Sequence, residues 1–114
     1  EEADWCRRIR KAGYACVFAP VAQIVHLDGG GKSTVQIKSR MHVQMQKSHL
    51  IYARKHHGAV GYLVVKALFV ASATLRVTAF SAVRLLRGGA RAQAHIRLST
   101  AALRYHLFGQ DPVS

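Results

Sequence analysis

Three carboxylates stand within the first four residues of the chain: Glu1, Glu2 and Asp4. Clustered negative charges raise one another's pKa, and a carboxylate tuned in this way suits a general base or a metal site. The same spacing also fits the acidic start of a helix, where the helix dipole stabilises negative charge. On spacing alone the structural interpretation is favoured over the catalytic one.

A glycine-rich loop, residues 28–34, follows a predicted strand and precedes a predicted helix. This order is that of a phosphate-binding P-loop, but that pattern needs a glycine where His26 stands, and a P-loop ATPase also needs a downstream carboxylate to organise magnesium. Backbone amides at a helix N-terminus, together with Lys32, could still bind an anion. A plain glycine-rich connector is the alternative.

Isolated histidines are more often structural residues than ligands, and His26 ends an apolar run just before the loop. The other six histidines show no metal-ligand spacing, and we interpret them as surface or interface groups: His42, His49, His56, His57, His95 and His106.

The distribution of charge is the most unusual property of the composition. The formal net charge is +12 over 114 residues, and between Gly29 and Gln110 there are 13 Lys and Arg residues but no carboxylate. Such a segment requires an anionic partner or surface. Phospholipid head groups, nucleic acid and nucleotide diphosphates are all candidates.

The residue pattern predicts a short helix, two short buried strands, a long helix and a last short helix. Their expected ranges are 4–12 for the first helix, 14–19 and 22–26 for the strands, about 35–57 for the long helix, and 96–108 for the last. Gly13, Gly58 and Gly109 mark helix ends.

The stretch from Tyr62 to Leu86 is strongly apolar, but its longest uncharged run, Ala67–Leu75, is only nine residues. A bilayer-spanning helix needs about 20. At 100° per residue the basic side chains share one arc of a helix, which predicts a basic amphipathic helix at an anionic membrane surface: Lys66, Arg76, Arg84 and Arg87. The alternative is a core helix packed on another domain, with its arginine heads reaching solvent.

The order of these pieces resembles the C-terminal third of bacterial family 2 glycosyltransferases, especially rhamnosyltransferase-like members. The specific part of the resemblance lies in the first 33 residues, and weaker similarity continues through an aromatic-x-Arg-Lys-His-x-Gly helix end and a closing helix. The matching motifs are Glu1-Glu2-Ala3-Asp4-Trp5-Cys6-Arg7-Arg8, Ala12-Gly13-Tyr14, Val17-Phe18-Ala19-Pro20, Val25-His26, Gly31-Lys32-Ser33, Tyr52-Ala53-Arg54-Lys55-His56-His57-Gly58 and Leu103-Arg104-Tyr105-His106-Leu107-Phe108-Gly109.

The resemblance implies an inverting enzyme with a GT-A-type α/β fold. It would make Glu2 the general base, although most relatives carry Asp there, and Asp4 an orienting group. His26 would be a ligand of a divalent metal, Mg or Mn, that neutralises the leaving diphosphate. Three further residues lie where they could meet phosphates: Lys32, Ser33 and Arg40. The Asp-x-Asp metal motif and the nucleotide pocket belong upstream, so we expect a fragment that is inactive alone.

We therefore predict an α/β fragment in three parts. Residues 1–33 end a catalytic domain, residues 34–58 form a long helix packed on it, and residues 59–114 form a basic, mainly helical, membrane-associated tail. The expected partners are a nucleotide-diphosphate sugar, a lipid-linked or polysaccharide acceptor and an anionic membrane surface, and not nucleic acid. The expected location is cytoplasmic, peripheral on the inner face of the plasma membrane. The alternative is a basic membrane-surface or nucleic-acid-binding module without catalysis.

Overall fold

The computed structural model describes residues 2–23 and 38–112. They contain three helices, α1 (Glu2–Lys11), α2 (Lys38–Arg87) and α3 (Ala90–Phe108). The chain divides into two compact units, Glu1–Gly30 and Gly31–Ser114, which are called unit 1 and unit 2 below.

The predicted α/β fold is wrong, because neither described range contains a strand. The predicted strand 14–19 is irregular, and Val17 and Phe18 are 80% and 92% exposed. A strand is stable only when a second strand accepts and donates its backbone hydrogen bonds, and the described residues provide none. The second predicted strand, 22–26, is irregular at Ala22 and Gln23, and its other positions lie outside the described residues.

The predicted first helix is present as α1, with bounds shifted by one or two residues. Its first turn holds Glu2 and Asp4, and its last turn holds three basic residues, which suits the helix dipole at both ends. Gly13 follows with φ +89°, a backbone conformation that glycine adopts without strain, so the helix ends there.

Unit 2 begins with a 50-residue helical segment, α2, that folds back on itself at Gly58, where φ is +65° and ψ is −158°. In one straight helix His49 and Phe69 would lie about 30 Å apart. Their rings are instead 6.0 Å apart, nearly perpendicular. Residues 38–57, the first limb, therefore run antiparallel to residues 59–87, the second limb.

Helix α3 returns along the second limb after a turn through Gly88 and Gly89, both with positive φ. The rings of Phe80 and His95 stack at 4.2 Å, and Arg84 donates a hydrogen bond to Gln93. Gly109 closes α3 in a left-handed conformation, as the sequence predicts. The two limbs and α3 together form a three-helix bundle.

The interior of this bundle is built from small and polar side chains. Apart from Val43 and Leu50, its buried residues are four alanines and three polar residues: Ala53, Ala73, Ala92, Ala102, Gln46, Ser99 and His106. Large apolar side chains lie on the outside instead, with Leu68 63% and Leu75 69% exposed. Small residues between helices allow the helix backbones to approach closely, and polar residues there form hydrogen bonds between helices.

The α2 segment is long and apolar enough, by length and composition, to cross a membrane, and 6% of its most apolar 18-residue window is buried within the protein. A core helix of a water-soluble protein would be mostly buried. The longest uncharged run in the sequence did not indicate this length, because widely spaced basic side chains divide the apolar stretch into short runs.

Candidate functional site

The two predicted catalytic carboxylates lie in the first turn of α1. The side chain of Glu2 is exposed, and that of Asp4 is half-buried. Oδ2 of Asp4 accepts a hydrogen bond from Nε of Arg8 at 3.1 Å, one turn along the helix. This ion pair is what an acidic helix start forms with its own basic side chains. The local geometry thus matches the structural interpretation and leaves the catalytic one a prediction.

Of the other predicted site residues, His26, Lys32 and Ser33 lie outside the described residues. Arg40 lies in the first turn of α2, exposed. Within residues 2–23 and 38–112, no group of three or more His, Cys, Asp or Glu side chains could hold a metal ion. The expected divalent metal therefore rests on the resemblance alone.

A line of polar side chains runs through the core of the bundle. Nε2 of His106 donates a hydrogen bond to Oε1 of Gln46 at 2.7 Å, and Nε2 of Gln46 donates to Nε2 of His42 at 3.0 Å. An amide oxygen can only accept and an amide nitrogen can only donate. Nε2 of His42 accepts a hydrogen bond, so that ring is neutral, and the line has a single direction from α3 to the first limb.

The surroundings of these two histidines disfavour protonation. Burial lowers the pKa of His106, and the nearby Lys66 lowers it further. Burial likewise lowers the pKa of His42, with a second contribution from Arg76. The ring of Phe69 stacks on His106 at 5.4 Å. Nδ1 of His106 is buried without a hydrogen-bond partner in the described part of the chain, which leaves an unsatisfied acceptor in the core.

Two basic side chains of the second limb line cavities between this limb and the other helices, although Arg76 is also exposed to solvent. Lys66 lines a cavity of about 210 Å³ with Tyr62, Tyr105 and His106, and Arg76 lines another of about 180 Å³ beside His42. Apolar side chains of the same limb are exposed: Leu63, Val64, Leu68 and Leu75. These four residues form an exposed apolar face that no other described residue covers. The predicted amphipathic helix at a membrane surface stays a prediction.

A cleft of about 720 Å³ lies between α3 and the start of α2. Arg97, Thr100 and Arg104 line it from α3, and Ser39 lines it from the first turn of α2. Residues 110–112, which follow the Gly109 turn, line it as well.

Sequence reasoning missed the role of His42 and His106, which it placed among the surface or interface groups. His106 is only 4% exposed. A usable signal was present, because the small and polar residues Ala92, Ser99, Ala102 and His106 recur at spacings of seven, three and four along α3. That period marks a buried helix face made of small and polar side chains.

No protein-family profile, curated protein or solved structure matches this chain.

Proposed function

We propose that the chain is the C-terminal part of an inverting family 2 glycosyltransferase, and that unit 2 holds the enzyme on an anionic membrane surface. The chemistry follows from the resemblance carried by the motifs of residues 1–33. The membrane location is supported by the outward apolar face of the second limb. The membrane would present a lipid-linked acceptor to the enzyme, and the nucleotide-diphosphate sugar would arrive from the cytoplasm.

The exposed apolar face is the observation that carries the membrane part. Leu63, Leu68 and Leu75 are each more than half exposed. Moving one such side chain fully out of water yields about 1.5–3 kcal/mol. A basic residue close to an anionic bilayer adds about 1 kcal/mol, and within residues 38–112 the only carboxylate is Asp111. An anionic lipid surface would cover the apolar face and would neutralise the excess positive charge of unit 2.

In the proposed reaction, Glu2 takes the proton from an acceptor hydroxyl as that oxygen attacks the anomeric carbon. The bond from that carbon to the nucleotide diphosphate breaks on the opposite face, so the anomeric configuration inverts. By the resemblance, His26 would be a ligand of a divalent metal in the complete enzyme, and that metal would supply the positive charge that neutralises the leaving diphosphate. Asp4 accepts a hydrogen bond from Arg8 at 3.1 Å, and the orienting role proposed for it follows from the resemblance.

Substitution of the proposed base tests the catalytic part in the protein encoded by the complete reading frame. Glu2→Gln removes the proton acceptor and keeps the shape, and we expect turnover to fall by at least about 10²-fold. Glu2→Asp, the residue most relatives carry, should retain most of the activity. Full sugar transfer by the Glu2→Gln variant would contradict the base assignment.

A membrane-surface module without catalysis is the second candidate. It is favoured by the ion pair of Asp4 with Arg8, which needs no catalytic role, and it requires the same apolar face. A complete protein that binds anionic vesicles but transfers no sugar from any nucleotide-diphosphate donor would support it. Binding to DNA that weakens steeply with salt, without binding to vesicles, would instead indicate a nucleic-acid-binding module.

A further inference from the structure

The cleft between α3 and the start of α2 gathers cationic and hydrogen-bonding side chains. Arg97, Thr100 and Arg104 stand three and four residues apart on α3, so they share one helix face. Arg97 and Arg104 form no ion pair with any described residue. Two guanidinium groups on one wall of a cleft are suited to a phosphate, which each can contact through two N–H groups.

The one carboxylate at the cleft is already neutralised. Asp111 lies in the segment after the Gly109 turn, and its Oδ1 is 2.5 Å from Nζ of Lys47 on the first limb. This ion pair ties residues 110–112 to the first limb, so they remain at the end of the cleft. It also cancels the negative charge that would repel an anion from Arg97 and Arg104.

The wall opposite the arginines is the first turn of α2, where Ser39 lies. The hydroxyl groups of Ser39 and Thr100 can each donate a hydrogen bond into the cleft. They add hydrogen-bond donors to the positive charge of Arg97 and Arg104, and this combination favours an anion.

Exposed apolar side chains lie next to this anion-binding site. Leu107 and Phe108 follow Arg104 by three and four residues, so they occupy the next turn on the same side of α3, and they are 58% and 71% exposed. A free phosphate would leave them in water. A phosphate that carries acyl chains would cover them, so the juxtaposition favours an amphiphile over an inorganic anion.

We propose that the cleft lined by Ser39, Arg97, Thr100 and Arg104 binds the phosphate ester head group of an anionic lipid, whose acyl chains lie against Leu107 and Phe108. This proposal deepens the proposed membrane role of unit 2, since it names a specific lipid site in addition to the general attraction between a basic protein and an anionic bilayer. It does not depend on the transferase chemistry.

Calorimetric titration of the 114-residue chain with dihexanoyl phosphatidic acid, kept below its micelle concentration, tests the cleft without a membrane. The Arg97→Gln/Arg104→Gln variant should bind at least about tenfold more weakly than the wild type, because two charge-assisted contacts are lost. Arg54→Gln/Arg91→Gln is the matched control, with the same loss of charge at two exposed arginines outside the cleft, and should bind within about twofold of the wild type.

Two further ligands distinguish a lipid phosphate from a free phosphate. Glycerol 1-phosphate and inorganic phosphate should bind at least about tenfold more weakly than the short-chain lipid, because they leave Leu107 and Phe108 uncovered. Equal affinity for inorganic phosphate would overturn the lipid assignment. Equal weakening of lipid binding in both double variants would contradict the proposed lipid site in the cleft. Tighter binding of a short DNA duplex than of the lipid would also contradict it.

The same variants separate this proposal from the proposed function. If the Arg97→Gln/Arg104→Gln variant no longer binds the short-chain lipid but still binds anionic vesicles, the lipid site in the cleft is supported. Binding to the membrane is then explained by the apolar face. If the wild type binds the short-chain lipid but no vesicle, the proposed lipid site is supported and the proposed membrane role is contradicted. If the wild type binds vesicles but not the short-chain lipid, the proposed lipid site is contradicted and the proposed membrane role is supported.

Discussion

Nε2 of His106 lies 2.7 Å from Oε1 of Gln46, although 60 residues separate them. The hydrogen bond joins α3 to the first limb of α2 between two side chains that are each about 5% exposed or less. Gln46 also reaches His42, so one amide bridges two imidazoles. A bundle with four alanines in its interior has few large apolar contacts, so this polar line specifies which helix faces meet.

Gln46→Leu should destabilise the bundle by roughly 1–3 kcal/mol, because it leaves Nε2 of both histidines without a partner in the core. Gln44→Leu, at an exposed position on the same limb, is the control and should change the free energy of unfolding by less than about 0.5 kcal/mol. Urea unfolding followed by circular dichroism measures both. Equal effects of the two substitutions would show that the line contributes nothing to stability.

The bundle should lose stability as the pH falls below about 6.5, the ordinary value for histidine. The pKa values of His42 and His106 are lowered in the folded state, so unfolding takes up protons. Their contribution is complete above pH 6.5, decreases as the pH falls, and levels off below the folded-state values.

Urea unfolding between pH 7.5 and 4.5 measures this dependence. The double variant His42→Gln/His106→Gln should be less stable at pH 7.5 and show a flatter slope. The control is Gln44→Leu, at an exposed position of the first limb, which removes no titrating group and should keep the wild-type slope. An unchanged slope in the double variant would assign the pH dependence to other groups.

Gly58→Ala should cost roughly 1–3 kcal/mol, because φ +65° with ψ −158° is a conformation that only glycine adopts readily. No heavy atom outside its immediate neighbours lies within 4 Å of an added Cβ, so the cost comes from the backbone alone. Ala59→Ser on the exposed surface is the control. Thermal unfolding measures both, and a neutral Gly58→Ala would mean that the two limbs do not meet at this angle.

The C-terminal ends of the helices of unit 2 could be predicted from the sequence because their signals are local, whereas α3 begins at Ala90, six residues before its predicted start. Gly58, the Gly88-Gly89 pair and Gly109 mark ends that a pattern of neighbouring residues reveals. The local sequence could not decide whether the two predicted strands form, because a strand depends on a partner strand elsewhere in the chain. The short apolar run 14–19 has the composition of a buried strand, but no described residue covers Val17 or Phe18.

The candidate site could be predicted only in part. The basic and apolar faces of the second limb follow from helical periodicity, but which face turns inward depends on the other two helices. Periodicity assigns apolar residues to the core by default, and here Lys66 and Arg76 line the interior cavities. The link from His106 to Gln46 spans the whole bundle, so no local pattern contains it.

Fluorescence of a polarity-sensitive dye attached at position 68 tests most directly whether the apolar face enters lipid. The two native cysteines are free and exposed, so Cys6→Ser and Cys16→Ser are combined with Leu68→Cys, and with Gln44→Cys as the control on the first limb. On vesicles that contain phosphatidylglycerol, we expect a blue shift and brighter emission from the dye at 68, and little change from the dye at 44. Vesicle binding without any shift at 68, or equal shifts at both positions, would contradict the proposed membrane face.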